Sequence, residues 1–412
     1  MLFSVAWKNV FRNKPRSLIL LSSITIGLVG GLFYMGFSNG MAQQQINNAI
    51  KTYVSDLQIH NPRFLLNEEL QYLIKNPEVK KAKIKTLPEV TGVCSRLKLP
   101  AMIATAKTGT GVSVIGVNPD EEKTVTEIHA KMISGAYFNA PLKNPIVIGK
   151  KLAKKLNVKP KSKVVITLQD SSGNITSGLF KVAGVFDAQN SIFEEANVFV
   201  LKEDLANLVQ LNKQKANEIA VLLKHNKFTE KVKRELENFF SDEVSNGSIV
   251  IRTWAEIQPM LEMINNLTIE YTMIFITVIL TALGFGIVNT MLMSVMERFR
   301  EFGMLMAVGM SKSKIFTMIF FETLTLTLSG SVLGIIIVKI LISYTGKVGI
   351  DLSAFAEGLN SWGYSSVVYP ELTWHYYLLV SVLVIIVSLV ASLFPARKAL
   401  KINPTEAMRK DI

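Results

Sequence analysis

One cysteine, Cys94, occurs in 412 residues, so neither an internal disulfide nor a Cys-x-x-Cys metal or redox site can form. Four histidines, His60, His129, His225 and His375, stand far apart, which argues against a His-based metal site. No Gly-x-x-x-x-Gly-Lys-Ser/Thr cradle is present. Gly149-Lys150 and Gly346-Lys347 lack the upstream glycine and the following hydroxyl residue. The chain holds no His-Glu-x-x-His, no Gly-x-Ser-x-Gly and no kinase-type set. We therefore expect no catalytic residue, no metal and no directly bound cofactor. Asp120-Glu121-Glu122 and Glu194-Glu195 read as solvated acidic loops. Charge is scarce too, at 19% against a usual quarter, and acids are the scarcer sign, with 32 Asp+Glu against 45 Lys+Arg.

Apolar residues are abundant instead, and they are gathered into runs. Leu18–Ile50 and Tyr271–Met296 carry no charge, Ile315–Val338 carries only Glu322, and Leu372–Ala396 carries only His375. Each run can supply the roughly 20 helical residues that cross a bilayer core. Four buried helices of this length in one soluble core would be rare. The 14 Leu, Ile, Phe and Val of Ile315–Val338, at about −0.3 to −0.6 kcal/mol each, outweigh an acid costing about 3 kcal/mol. Glu322, about 10 Å into that helix by rise, is expected to pair with Arg298 or Arg300 or to snorkel. The first run exceeds the usual hydrophobic stretch of a cleaved signal, so we expect it to be retained.

Basic residues set the expected orientation. The flanks before the first run, at Glu297–Lys314 and at Arg397–Ile412 hold 13 basic and 4 acidic residues, whereas Lys339–Glu371 holds 2 basic and 3 acidic. That bias places both termini in the cytoplasm and the long Ser38–Glu270 segment outside. The net charge of +13 thus suits anionic lipid at the inner flanks rather than nucleic acid. The fold class is an α-helical membrane protein with four transmembrane helices and a large α+β extracytoplasmic domain between helices 1 and 2.

The expected division runs as follows: an interfacial helix over 1–16, transmembrane helices over 17–40, 271–296, 315–338 and 372–396, and an outer domain over 41–270. A lobe at about 118–211 is inserted in that domain; 297–314 forms an inner helix, 339–371 an outer loop and 397–412 an inner tail. Within the outer domain we read strands at Tyr53–His60, Gly92–Ala106, Val112–Val117, Lys163–Gln169, Leu179–Phe186, Ile219–Leu223 and Ser248–Ile251. Helices are read at Asn67–Lys75, Lys150–Leu156 and Thr229–Phe240, and a hairpin loop at Asp170–Asn174. Ile46, Ile50, Tyr53 and Leu57, and likewise Ile257, Leu261, Ile264, Thr268 and Tyr271, recur at seam spacing, as stalk helices would. Gly27/Gly31, Gly36/Gly40 and Gly330/Gly334 are small-residue pairs suited to close helix packing.

The inner segment Glu297-Arg298-Phe299-Arg300-Glu301-Phe302-Gly303-Met304-Leu305-Met306-Ala307-Val308-Gly309-Met310-Ser311 resembles the loop motif of the FtsX-like permease family of ABC transporters. Pro395-Ala396-Arg397 through Pro404-Thr405-Glu406-Ala407-Met408-Arg409 is similar to its closing motif, and Ala6–Asn13 and Ile146–Ala153 match further stretches. Within the family, Asp351–Leu359, Tyr369-Pro370, Gly184–Asp187 and Phe193–Glu195 look most like the lipoprotein-releasing permeases. The short Asp170–Asn174 hairpin departs from the longer hook of the carrier-recruiting subunit.

The resemblance implies a bacterial inner-membrane, multi-pass subunit that is not itself an enzyme. ATP and magnesium would sit on a cytoplasmic ABC ATPase, met through Glu297, Arg298, Arg300, Glu301, Gly303, Met306, Gly309 and Ser311. A second permease subunit would complete a homodimer or heterodimer. The cargo would be a lipoprotein, passed to a periplasmic carrier. For the acyl chains we expect a cavity lined by Val29, Leu32, Phe33, Met35 and Phe37 and by Met273, Ile274, Phe275 and Ile276. Export of a periplasmic peptide, toxin or drug, or transmembrane signalling, is the alternative.

Overall fold

A computed structural model describes residues 14–138 and 142–400. The interfacial helix expected over 1–16 lies almost wholly outside these residues, as does the tail beyond 400. The chain forms two compact units, one drawn from Met1–Ala42, Asn265–Asp351 and Val367–Ile412, the other from Gln43–Ile264 and Leu352–Ser366.

The elements in chain order begin with helix α1 (Lys14–Ala49), which tightens into a π turn at Ile50–Val54. Then come β1 (Leu57–His60), α2 (Phe64–Asn67), α3 (Pro77–Ile84), β2 (Val90–Ala104), β3 (Gly109–Val117), α4 (Pro119–Glu122), β4 (Met132–Gly135), β5 (Pro145–Gly149) and α5 (Lys150–Leu156). They are followed by β6 (Lys163–Gln169), β7 (Ile175–Phe186), α6 (Ser191–Ala196), β8 (Asn197–Leu201), α7 (Lys202–Leu208), β9 (Glu218–Leu223), α8 (Thr229–Phe239), α9 (Ser241–Ser245), β10 (Val250–Thr253) and α10 (Trp254–Ile257). The chain closes with α11 (Pro259–Glu297), α12 (Phe299–Ala307), α13 (Lys312–Val348), β11 (Ile350–Asp351), α14 (Ala356–Ser361), β12 (Val367–Val368) and α15 (Trp374–Leu400).

The four apolar runs all become helices, and each is long and apolar enough to cross a membrane. All four are longer than a hydrocarbon core of about 30 Å, from α15 with 27 residues, about 40 Å of rise, to α11 with 39, about 58 Å. Several hydroxyl residues inside the spans back-bond to their own helices, although Thr327 Oγ1 and Ser331 Oγ are buried with no hydrogen-bond partner among the described residues. Thr325 Oγ1 donates to the Phe321 carbonyl at 2.8 Å and Ser388 Oγ to Val384 at 2.7 Å, so neither is left unpaired in an apolar setting. Gly330 and Gly334 let α13 approach α1: a methyl on Gly330 would stand 2.9 Å from Ile24, and one on Gly334 3.0 Å from Leu28. Thr25 Oγ1 donates across this contact to the Gly330 carbonyl at 3.2 Å. Of the other small-residue pairs, Gly36 and Gly40 meet close neighbours, whereas nothing lies within 4 Å of a methyl built on Gly31.

In the α+β unit, β2 serves two layers. Its first half pairs with β9, and the order β10-β1-β9-β2 makes an antiparallel sheet backed by Ile84, Val232, Leu236 and Phe240. Its second half pairs with both β3 and β6. Because β3 joins β8, β8 joins β5, β5 joins β7 and β7 joins β6, six strands close on themselves. Leu99, Ile103, Ile148, Ile166, Phe180 and Val200 belong to the core of this closed set. Closure leaves these six strands no free edge. Residues 97–117 share this sheet with the 118–211 stretch, with no linker between them.

Two local expectations are corrected. The chain from Tyr53 to Val54 is still helical, and the strand begins only at Leu57, after Ser55 turns with φ 60°. The helix expected at Asn67–Lys75 sits instead at Phe64–Asn67, because Glu68 adopts a left-handed conformation that ends it. Asn76-Pro77, a helix-start signal with proline at the first turn, marks the helix α3 that the sequence reading passed over.

Candidate functional site

The loop between α11 and α13 carries the densest set of expected functional residues. Arg298 sits at the junction of α11 and α12. Its Nη1 donates to Glu322 Oε2 at 2.9 Å, its Nε donates to Glu301 Oε2 at 3.0 Å, and its guanidinium lies 5.0 Å from the centroid of the Phe302 ring. The Arg298 and Glu322 side chains are 8% and 10% exposed, so this is a buried pair in which each charge needs the other. Glu322 lies in the third turn of α13; the pair therefore ties the end of α11, the start of α12 and the body of α13 together.

The face of α12 on which the sequence placed Gly303 and Met306 turns inward. Gly303 and Phe302 are buried, and Phe299, Met306 and Met310 pack against the helix core. A partner surface cannot reach Gly303 directly, since the same apolar residues that give α12 its periodicity are consumed by its own bundle. The opposite face is open: Arg300 is exposed, Met304 is 53% exposed and Val308 89%. Glu297, Gly309 and Ser311 are exposed too. Gly309, at φ 97°, ends α12 in a conformation that favours glycine, and Ser311 is the extended residue from which α13 starts.

The residues expected to line an acyl cavity divide by burial. Leu32, Met35 and Ile276 are core residues of the bundle, and Val29 and Phe33 pack against that core. Phe37 is half-buried, while Met273, Ile274 and Phe275 are exposed. Tyr34, which the sequence reading missed, stacks on Phe275 with ring centroids 3.9 Å apart and joins α1 to α11.

A second charged centre, also missed, lies inside the α+β unit. Arg96 on β2 holds Glu122 with two bonds, Nη2–Oε1 at 2.7 Å and Nε–Oε2 at 2.9 Å, and reaches Glu218 at 2.6 Å. Glu218 lies 4.0 Å from His60, and Cys94 Sγ donates to Glu122 Oε2 at 3.2 Å. Burial pushes the Glu218 carboxyl up, but the neighbouring Arg96 charge more than reverses this and holds it below the ordinary range. Burial drives the His60 imidazole down against the pull of Glu218. Glu122 and Glu194 are thus buried and paired, not solvated: Glu194 accepts from the backbone amides of Lys151 and Ala188. The acidic partners of Arg96, 26 and 122 residues away in sequence, gave no local signal. Among the described residues no three His, Cys, Asp or Glu are grouped so as to hold a metal ion.

A MacB-like periplasmic core domain model matches residues 17–239, and an FtsX-like permease C-terminal model matches 273–404. The chain belongs to the FtsX-like permease family of ABC transporters. The permease is 23% identical to the lipoprotein-releasing system transmembrane protein LolC of Buchnera aphidicola subsp. Schizaphis graminum, over 98% of this chain and 96% of that one. It is 32% identical to the macrolide export ATP-binding/permease protein MacB of Chlorobaculum tepidum, over 30% of this chain and 16% of that longer protein. The periplasmic region of MacB from Actinobacillus actinomycetemcomitans aligns with 53% of this chain and 98% of its own, with a TM-score of 0.36 and 12% identity.

Proposed function

We propose that this permease subunit releases lipoproteins from the outer leaflet of a bacterial inner membrane, driven by a separate cytoplasmic ABC ATPase. The observation that carries this reading is the end-to-end similarity to LolC, over 98% of this chain, against 30% for MacB. Both termini lie in the cytoplasm, and the α+β domain lies in the periplasm. The exposed side of α12, with Arg300, Met304 and Val308, meets the ATPase, which holds the ATP and magnesium. The buried Arg298–Glu322 pair keeps α12 rigid on α11 and α13, so a push on α12 reaches both helices. A second permease subunit, identical or related, closes the transporter. Met273, Ile274 and Phe275, open on α11, with Phe33 and Phe37 on α1, meet the acyl chains. Leu32, Met35 and Ile276 hold the helices together behind them. A periplasmic carrier receives the product.

The test is purification of the membrane complex, with bound subunits and lipidated cargo identified by mass spectrometry, and depletion of the permease in cells. Triacylated lipoprotein in the complex and lipoproteins stranded in the inner membrane support the reading. Intact sorting with altered drug or peptide sensitivity favours the second one, export by a macrolide-exporter-like system, which the MacB-like core domain match supports.

A further inference from the structure

Within the α+β unit, a cleft of about 310 Å³ lies where the last turns of α1, the first turn of α11, helix α6 and the 352–366 segment come together. Five of its lining residues are carboxamides: Gln45, Asn48, Asn190, Asn197 and Gln258. Among the described residues Lys98 is the one charged residue of its lining, and Glu68 already pairs with it at 3.1 Å. Several amide atoms have no protein partner among the described residues. Gln45 donates to the Trp362 carbonyl at 2.7 Å, which leaves its Oε1 open. Asn197 donates to the Phe193 carbonyl, which leaves its Oδ1 open. Asn190 accepts from Phe193 N, which leaves its Nδ2 open, and both ends of Gln258 are open. Apolar side chains stand beside them with much of their surface unspent: Ile192 is 68% exposed, Met260 56% and Trp362 61%. Tyr53 and Phe193, stacked with centroids 4.5 Å apart, belong to the same lining.

We propose that this cleft binds an extended, uncharged peptide segment, the unfolded linker of a cargo polypeptide; the identification of that peptide as cargo rests on the transport reading above. A peptide backbone presents alternating donors and acceptors about 3.3 Å apart per residue, and a carboxamide carries both functions at one terminus. Four of them keep an open atom and match that pattern without selecting a sequence; the fifth, Asn48, is held by Ala188, Thr52 and Lys131. A charged ligand finds no free counter-charge here. Methionine, isoleucine and tryptophan at the mouth take small apolar side chains of varied shape, as Met-rich and aromatic surfaces do. The cleft is built from the ends of both helices that lead to the first two membrane spans, so an occupant bridges them.

The experiment uses the full chain in lipid nanodiscs and a fluorescein-labelled, non-acylated peptide of about ten residues rich in Ser, Gly, Asn and Ala. Anisotropy should report binding, weakened roughly 3- to 10-fold by Gln258→Ala or Asn197→Ala and about tenfold or more by Met260→Glu. A same-length Asp-rich peptide should bind more weakly, and the distant surface change Lys107→Ala should alter nothing. Benzoylphenylalanine at position 192 should cross-link to the peptide. Absence of binding, equal binding by all variants that retain the wild-type melting transition, or cross-links only to lipid or to a second copy of the chain overturns the proposal. Because the peptide carries no acyl group, binding that survives while lipoprotein release fails overturns only the transport reading. Release without peptide binding overturns only this one.

Discussion

At the scale of single residues, buried charge decides the sharpest expectations. Removing the Glu322 carboxylate leaves Arg298 buried beside Phe302 with part of its ion pairing gone, a loss on the order of 3–5 kcal/mol where such pairs are broken. Glu322→Ala should therefore lower expression and uncouple ATP hydrolysis from transport in a reconstituted complex. Glu322→Gln, which keeps a hydrogen-bond acceptor, should restore part of both. Asp56 offers a test in the α+β domain. Burial pushes its carboxyl up to about 6, although the Leu223 amide donates to Oδ2 at 2.7 Å, and its Oδ1 has no hydrogen-bond partner among the described residues. A carboxyl raised by folding stabilises fully below its unfolded value and loses that contribution as pH rises through the folded one. Asp56→Asn should thus match wild type near pH 4 and be more stable above about pH 6, by on the order of 2–3 kcal/mol. Thermal unfolding across that range measures it; a constant difference would contradict the assignment. Glu322 was legible as a pairing acid because a lone acid in an apolar run demands a partner. Arg96 and Asp56 were not, since their surroundings are assembled from strands far apart in sequence.

At the scale of elements, two helices carry the contrast between packing and docking. Gly330 and Gly334 seat α13 against Ile24 and Leu28. Gly330→Val should part the helices, lowering folded yield in detergent, whereas the same change at Gly286, where a methyl would meet no side chain or other element within 4 Å among the described residues, should be far milder. On α12 the motif periodicity was visible in the sequence, but which side packs into the chain's own bundle was not. A helix end with apolar residues on several sides can bury only one of them, and the bundle chose Phe302 and Gly303. Val308→Asp should hence weaken ATPase association while leaving the fold intact. Gly303→Trp should instead disturb the bundle itself. Coprecipitation with the ATPase, read beside the melting temperature, separates the two outcomes.

At the scale of the whole molecule, the orientation rests on charge bias and invites direct labelling. Cys94 is the single cysteine and is buried, so a Cys94→Ala background is silent toward impermeant maleimides. Ser172→Cys in the β6–β7 hairpin should then label in intact spheroplasts, and Val308→Cys only after the membrane is opened; the reverse pattern would overturn the topology. The sequence alone determined the four spans and the α+β domain between the first two, because apolar run length and strand alternation are local and each run needs only the bilayer or its own hydrogen bonds to form. Only the tertiary structure decided which strands close with β2, which face of α12 is spent, and where acids such as Glu122 find their cation. Those outcomes depend on partners brought together by folding, and no local pattern encodes a neighbour 26 residues away, as Arg96 is from Glu122, or 122 away, as it is from Glu218.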